Sequence, residues 1–245
     1  MVTVMHASDR VIVALDFSSE AQARALVEQL GAAATAYKVG LQLLTAQGPS
    51  IVRWLVGQGK LVFLDLKLHE IPNSVASAVT VAGSLGVSMV TVHASGGLAV
   101  LRAAVQAALP FPQLQVLALT VITSMGENDL VEIGVQGSVL EQVERLAALA
   151  VAAGCHGVVA SAQEAARLRQ ILPVNMRIVT PGTQQAGEAK TDQTRTATPS
   201  QAMAAGATHI VMGRAIAHAA SPVAVFASIC SEVAQAIRHL DASAT

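Results

Sequence analysis

Apolar runs of strand length alternate with alanine-rich stretches along almost the whole chain. Each run is bounded by polar residues or glycine, which is typical of a strand that is buried on both faces. The intervening stretches show helical patterning, and glycine follows many of them. Strands are predicted at Val11–Asp16, Ala36–Gly40, Leu61–Lys67, Met89–His93, Val116–Thr123, Gly157–Ser161, Arg177–Thr180 and Thr208–Gly213, and helices at Ser19–Leu30, Asn73–Leu85, Leu98–Leu109, Ser138–Ala153 and Gln163–Leu172.

This alternation predicts an α/β fold, because strands separated by helices pair in parallel through right-handed crossovers. Eight such units favour a (β/α)8 TIM barrel, with eight parallel strands inside and the helices outside. The length of 245 residues is typical of that fold, so a single domain covering residues 1–245 is expected. An open doubly wound sheet is the alternative. The first strand, however, continues into Asp16-Phe17-Ser18-Ser19 and has no glycine-rich phosphate loop.

Composition restricts the partners of the chain. The net charge of -1 and the aromatic content of 2% argue against a nucleic-acid surface. Arg102 is the sole formal charge between Glu70 and Glu127, but glycines and a proline divide this apolar region into pieces too short to span a membrane. Cys155 and Cys230 form neither a disulfide framework nor a metal-ligand cluster. With no secretory signal visible, the chain is expected in the cytoplasm, acting on small molecules.

The end of the third predicted strand carries charges of alternating sign. Asp65, Lys67 and Glu70 follow the apolar run that begins at Leu61. Ionised side chains lose hydration on burial unless they have opposite partners, and lysine is depleted inside strands. Lys38, within the second strand, adds a fourth charge. These residues could be a structural ion-pair network, but a barrel core is easily filled by Val, Ile and Leu, so a site with a lysine held between carboxylates is the favoured interpretation.

Polar residues at the other strand ends extend this site. In a barrel the carboxyl ends of the strands and the loops that follow carry the chemistry. Any one of these residues could be an ordinary loop or capping residue, but together they form a coherent set. The set comprises Asp16 after the first strand, Thr123 and Ser124 after the fifth, Pro181 and Gly182 after the seventh, and Gly213 and Arg214 after the eighth.

The loops after the seventh and eighth strands indicate a phosphate site. Residues 183–198 form a long polar segment of the kind that often acts as a lid. At Gly213 a glycine allows close approach of the backbone, and Arg214 follows directly. Loops in these two positions frequently bind phosphate in barrels, so a phosphorylated substrate is expected.

With these residues in view, the chain resembles the orotidine 5'-phosphate decarboxylase family. The most specific motif is Asp65-x-Lys67-x-x-Glu70-Ile-Pro-Asn. It is accompanied by Ala14-Leu15-Asp16, Lys38-Val39-Gly40, Thr120-Val-Ile-Thr123-Ser124-Met125, Val179-Thr180-Pro181-Gly182 and Asp192-Gln193-x-Arg195. The resemblance implies a homodimeric barrel that converts orotidine 5'-phosphate to UMP and carbon dioxide with no metal or organic cofactor.

The resemblance also implies a role for each matching residue. Lys67 corresponds to the proton donor to C6 of the pyrimidine, and Asp65 to the carboxylate beside the departing carboxylate. Lys38 is expected to bridge Asp65 and the ribose, and Asp16 to accept from a ribose hydroxyl. The pyrimidine is expected to contact Thr123, Ser124 and Pro181, and the 5'-phosphate Gln193, Gly213 and Arg214.

Three positions depart from the usual pattern of the family. Glu70 stands where the motif generally ends in Asp, and Ser74 where Thr is common; both positions reach the neighbouring subunit's site in the resembled enzymes. Glutamate keeps the charge and serine keeps a hydroxyl, so activity is expected to survive. Gln184 replaces an arginine that many bacterial relatives place near the phosphate, which implies either weaker phosphate binding or compensation by Arg195.

Two other functions compete with this assignment. A sister group of metal-dependent sugar-phosphate enzymes, including 3-keto-gulonate-phosphate decarboxylase, shares the barrel and an Asp-x-Lys-x-x-Asp element. The continuation Ile71-Pro72-Asn73 and the segment Thr123-Ser124-Met125 favour the nucleotide enzyme instead. The other competitor is a non-catalytic nucleotide-binding barrel in which Glu70 marks lost activity. The presence of Lys38, Asp65 and Lys67 argues against it.

Overall fold

Eight parallel strands pair in chain order, and the eighth returns to the first, so the sheet closes into a barrel. The computed structural model describes residues 6–184 and 195–243. This closed, all-parallel sheet confirms the predicted (β/α)8 barrel and excludes the open doubly wound sheet. The strands are β1 Val11–Ala14, β2 Ala36–Gly40, β3 Leu61–Leu68, β4 Met89–His93, β5 Gln115–Leu119, β6 Gly157–Val159, β7 Arg177–Thr180 and β8 His209–Met212.

Helices cover the outside of the barrel and connect successive strands. Several connections contain a second, shorter helix, and these short helices were absent from the predicted elements. The helices are α1 Glu20–Leu30, α2 Leu41–Gln47, α3 Ser50–Gly57, α4 Pro72–Ser84, α5 Gly97–Ala108, α6 Glu127–Glu132, α7 Val139–Ala153, α8 Ala162–Ile171, α9 Pro199–Ala204, α10 Arg214–Ala217 and α11 Pro222–Ser243.

Two apolar clusters hold these layers together. The larger cluster lies between the strands and the helices, and the smaller one fills the barrel interior. Interior residues such as Ile12, Phe63 and Leu117 are 0–1% exposed. Because alternate residues of each strand point to opposite sides, a strand of this barrel is apolar on both faces. The near-continuous apolar runs in the sequence follow from this double burial.

Four strands end earlier than the sequence predicted. Regular pairing stops at Ala14, Leu119, Val159 and Met212. The polar residues predicted at the ends of the first and fifth strands therefore lie in the loops that follow, whereas Gly213 and Arg214 after the eighth strand lie at the start of α10. This difference matters for function, because loop residues at the carboxyl ends of barrel strands can face a ligand.

The last helix is long and apolar enough to cross a membrane by length and composition alone. In the barrel it packs against α1 and α9. Phe226, Ile229 and Val233 recur at helical spacing and are 0–2% exposed. This pattern is typical of an amphipathic helix that covers the core of a globular domain.

A polar cluster lies at the amino-terminal end of the barrel. His209 is 3% exposed, and its Nε2 accepts a hydrogen bond from Arg177 Nη1 at 2.9 Å. Its Nδ1 lies 2.9 Å from the hydroxyl of Thr208, which already donates to the carbonyl of Ile178. The His209 proton is therefore on Nδ1. Burial, followed by the charges of Arg177 and Arg10, lowers the pKa of His209 from 6.5 to about 3.

This buried histidine predicts that the barrel loses stability in acid. The unfolded chain binds a proton at this position below about pH 6.5 whereas the folded chain resists it, so the contribution is complete above pH 6.5 and falls as the pH drops toward 3. Between pH 6.5 and 4.5 this loss amounts to about 2 to 3 kcal/mol. The free energy of unfolding, measured with urea at pH 6.5 and at pH 4.5, should differ less between the two pH values for His209→Gln than for wild type. The exposed His218→Gln is the control, and an unchanged difference in His209→Gln would contradict the assignment.

Candidate active site

A cavity of about 290 Å³ opens at the carboxyl ends of the strands. This volume is at the lower end of the range for small-molecule sites. The cavity has a charged side formed by the first three strands and an apolar floor that includes Leu119, Val159 and Val211. Eleven of the residues predicted for the site line it: Asp16, Lys38, Asp65, Lys67, Thr123, Ser124, Pro181, Gly182, Gln184, Gly213 and Arg214.

The charged side consists of two separate ion pairs. Lys67 Nζ donates to Asp65 Oδ2 at 2.8 Å, and Lys38 Nζ donates to Asp16 Oδ1 at 2.8 Å. Lys38 was expected to bridge to Asp65, whereas its ion pair is with Asp16. A Cβ at Gly40 would lie 3.2 Å from Lys38 Nζ, so the glycine of Lys38-Val39-Gly40 leaves room for this second pair.

Lys67 occupies an irregular part of β3. The pairing of β3 with β4 shifts register between Leu64 and Leu68. Within this bulge Lys67 has a φ of 51°, and it is the one non-glycine residue with positive φ in the described part of the chain. Such a conformation costs on the order of 1–3 kcal/mol and persists where the surroundings enforce it. Strain of this kind is concentrated at functional sites, which agrees with the predicted importance of Lys67.

A buried threonine that the sequence did not single out contacts this motif. Thr91 on β4 is fully buried, and its Oγ1 accepts from the backbone N–H of Lys67 at 2.8 Å. The same hydroxyl donates to Asp65 Oδ1 at 3.0 Å. In the sequence Thr91 is one polar residue in an apolar strand. Its contacts with Asp65 and Lys67 depend on the register shift between β3 and β4. No local signal identified it.

Two histidines beside Lys67 were also missed. The rings of His69 and His93 stack with centroids 5.0 Å apart, and Ser95 N donates to His93 Nδ1 at 3.3 Å. Burial, followed by the charges of His69 and Lys67, lowers the pKa of His93 from 6.5 to about 4. His93 is therefore neutral at pH 7 and adds no positive charge next to Lys67.

The remaining predicted residues divide into those that line the cavity and those outside it. Thr123, which is 6% exposed, and Ser124 both line it. Glu70 and Ser74 do not line the cavity of the described chain. They contact each other instead, since a hydrogen bond from Ser74 lowers the pKa of Glu70, followed by one from the backbone of Ile71. Gln193 lies outside the described residues.

Arg195 has a different partner from the one considered for it. Its guanidinium is buried, and Nη1 donates to Glu164 Oε1 at 2.7 Å. Nη2 donates to the carbonyl of Ile122 at 3.0 Å. This buried guanidinium connects the loops after β5 and β7 with the start of α8, and Arg195 is not among the residues that line the cavity. Both observations argue against compensation for Gln184 by Arg195 at the phosphate.

The described residues contain no group of three or more His, Cys, Asp or Glu side chains that could hold a metal ion. The carboxylates of the cavity, Asp16 and Asp65, are each paired with a lysine. The arrangement instead places an ammonium group next to a carboxylate above an apolar floor. Such a site can stabilise a developing negative charge and deliver a proton to it.

A closed parallel barrel with two lysine–aspartate pairs at its carboxyl-terminal rim defines a (β/α)8-barrel enzyme. Comparison with known proteins gives the family. The model of the orotidine 5'-phosphate decarboxylase / HUMPS family matches residues 9–229, and the chain belongs to this family.

Individual relatives match nearly the whole chain. The orotidine 5'-phosphate decarboxylase of Idiomarina loihiensis is 47% identical over 227 residues, covering 92% of this chain and 98% of that protein. The enzyme of the same name from Nitrosococcus oceani is 45% identical over 225 residues, with coverages of 91% and 97%. The crystal structure of orotidine 5'-phosphate decarboxylase from Lactobacillus acidophilus is 32% identical with a TM-score of 0.82, covering 91% of this chain and 98% of that one.

Proposed function

We propose that this protein decarboxylates orotidine 5'-phosphate to UMP and carbon dioxide in de novo pyrimidine biosynthesis. The observation that carries the proposal is the Lys67–Asp65 pair in the rim cavity, 2.8 Å between Nζ and Oδ2. Relatives named for this activity match more than nine-tenths of the chain and support the same assignment.

The chemical difficulty of this reaction is a negative charge at C6 of the pyrimidine. When the bond from C6 to the carboxylate breaks, its electron pair remains on C6 and carbon dioxide leaves. The Lys67 ammonium stabilises that charge and then transfers a proton to C6, and the resulting amine recovers a proton from solvent. Because Asp65 already holds the ammonium in place, little reorganisation is needed during the reaction. Asp65 would also lie beside the substrate carboxylate.

The rest of the cavity is proposed to bind the nucleotide. Lys38 and Asp16 are suited to the ribose hydroxyls, since their ion pair offers both a donor and an acceptor. Thr123, Ser124 and Pro181 are proposed to contact the pyrimidine. The 5'-phosphate is assigned to the residues of the last two loops, Gln184, Gln193, Gly213 and Arg214, and binding energy from this remote group can be used at the reacting carbon.

The proposed decarboxylation can be tested by following the loss of orotidylate through its absorbance. The purified protein is incubated with orotidylate with and without a chelator, and UMP is identified by chromatography. Loss of orotidylate that is insensitive to the chelator is expected. Chelator-sensitive turnover of a sugar phosphate, with none on orotidylate, would instead favour the metal-dependent sister enzymes. Binding of UMP without any loss of orotidylate would indicate a non-catalytic barrel.

We further propose a homodimer in which α4 faces the neighbouring subunit. Ser74, Ser77 and Val81 recur at helical spacing on the exposed side of α4, and Ile71 at its start is 62% exposed. No charged residue occurs in α4. An exposed helix face without charges is typical of the centre of a protein interface. In this arrangement Glu70 and Ser74 would reach the partner's cavity.

Mixing two inactive variants tests this shared site. A chain with Lys67→Ala and a chain with Glu70→Ala should form hybrid dimers in which one of the two sites has both residues intact. Co-expression should therefore restore about a quarter of the wild-type rate, since half of randomly paired dimers are hybrids with one intact site. Lys67→Ala mixed with Asp65→Ala is the control and should restore nothing, because both residues come from one chain. Full activity of Glu70→Ala alone would contradict the proposal.

A cytoplasmic location is proposed with this function. Cys155 and Cys230 are both free thiols. Burial raises the pKa of Cys155 to about 12, so little of this thiol is present as the reactive thiolate at pH 7. These features fit a reducing compartment.

A further inference from the structure

Thr91 makes two hydrogen bonds to the two residues of the proposed catalytic pair. Its hydroxyl oxygen lies 2.8 Å from the backbone nitrogen of Lys67 and 3.0 Å from Asp65 Oδ1. The other carboxylate oxygen, Oδ2, accepts from Lys67 Nζ. The backbone of Lys67, the hydroxyl of Thr91, the carboxylate of Asp65 and the ammonium of Lys67 therefore form a closed ring of contacts.

The direction of each hydrogen bond in this ring is fixed. A backbone N–H can only donate, so Thr91 Oγ1 must accept from Lys67. The single hydroxyl proton of Thr91 is then available for Asp65 Oδ1, which as a carboxylate oxygen accepts. Thr91 itself is 0% exposed, so water does not compete for these bonds. The threonine thus constrains both the orientation of the carboxylate and the backbone of Lys67.

The backbone bond is important because Lys67 is in the left-handed region, with a φ of 51°. A lysine there is strained, since its Cβ approaches the following carbonyl, and the strained form needs support from its neighbours. Regular pairing with β4 cannot give this support, because the register shifts between Leu64 and Leu68. The side chain of Thr91 replaces a ladder partner for the Lys67 N–H at this point.

We propose that Thr91 is a positioning residue that aims Lys67 and Asp65 at the reacting carbon. The proposal rests on the proposed function. Thr91 does not line the cavity, so it acts through the two residues it holds. A threonine kept only for packing could be exchanged for valine, which has nearly the same shape and lacks the hydroxyl. Comparison of valine with serine therefore separates positioning from packing.

The experiment compares Thr91→Val, Thr91→Cys and Thr91→Ser with wild type. Thr91→Val should lower kcat for orotidylate by roughly 10- to 100-fold, the rate equivalent of one hydrogen bond to a charged group. KM and the Kd of UMP should stay within about threefold, because the groups assigned to ribose and phosphate lie on other loops. Thr91→Ser should retain kcat within about threefold, and Thr91→Cys, a weak donor, should fall between.

Titration with UMP counts the folded sites, so each kcat is expressed per competent site. Equal kcat for Thr91→Val and wild type would overturn the proposal, as would equal losses in the serine and valine variants. If Thr91→Val does not fold, the comparison of Thr91→Ser with Thr91→Cys still tests the proposal. A higher kcat in the serine variant supports it, and equal values contradict it.

A crystal structure of Thr91→Val, or of Thr91→Cys if the valine variant does not fold, tests the geometry of the pair without depending on turnover. We expect Lys67 to leave positive φ, or its Nζ to move out of hydrogen-bond distance of Asp65 Oδ2. Unchanged geometry would refute the positioning role even if wild type is active. If wild type does not convert orotidylate, the proposed function fails, and the crystal structures alone decide whether Thr91 holds this pair.

Discussion

Lys67→Ala is expected to lower kcat for orotidylate on the order of 10⁴-fold or more, because it removes both the proton donor and the charge that stabilises the C6 carbanion. The fold should remain, since the Lys67 side chain is 32% exposed and does not belong to the core. The measurement is the steady-state loss of orotidylate absorbance at saturating substrate, together with the Kd of UMP.

A matched control for this prediction is Lys60→Ala. Lys60 precedes the same strand, and its Nζ donates to the carbonyls of Gly31 and Ala34, away from the cavity. Turnover of that variant should equal wild type. If Lys67→Ala retained more than a few per cent of the wild-type rate while binding UMP normally, Lys67 could not be the proton donor.

The charges of the site were recognisable from the sequence because they interrupt apolar strands. Lys38, Asp65 and Lys67 stand in runs that otherwise read as buried, and a buried charge needs a reason. Their pairing was harder to predict. The partner of Lys38 is Asp16, which lies 22 residues earlier in the loop after β1, and this choice depends on how β1 and β2 are aligned in the barrel.

Residues whose role depends on register were not predictable. Thr91 contacts Lys67 because β3 contains extra residues between Leu64 and Leu68. Such a bulge cannot be recognised from the alternation of side chains along the strand in the sequence. Glu70 and Ser74 illustrate a different limit. The sequence places them beside the motif, but within one chain they lie outside the cavity, and an interface cannot be derived from the pattern of a single chain.

Glu164 caps a helix, as its local sequence indicates, and also forms an ion pair that its local sequence does not indicate. Ser161 and Glu164 form an ordinary capping box at the start of α8, where Glu164 Oε2 accepts from the backbone of Ser161. The structure adds Arg195 to the other carboxylate oxygen, Oε1. One acidic residue thus caps a helix and anchors the chain where it returns from the loop after β7.

Arg195→Met is expected to lower the free energy of unfolding by about 3 to 5 kcal/mol, because it leaves the Glu164 carboxylate buried without its cation. Burial already raises the pKa of Glu164, while the charge and hydrogen bond of Arg195 lower it. Without the guanidinium the pKa should rise further. An acid whose folded pKa is raised loses stability as the pH rises through that pKa, so the variant should be weakest at alkaline pH and recover in acid.

Urea unfolding of Arg195→Met at pH 5 and pH 8 measures this dependence. The double variant with Glu164→Leu is the matched control. It should regain much of the lost stability at pH 8, because neither charge remains buried alone.

The Arg195 guanidinium also donates to the carbonyls of Val121 and Ile122, which directly precede Thr123 and Ser124 in the chain. The double variant should therefore remain impaired in KM for orotidylate even when it is stable. Recovery of both stability and KM would mean that Arg195 serves the fold alone, and equal stability of Arg195→Met and wild type at pH 8 would show that the buried pair contributes nothing.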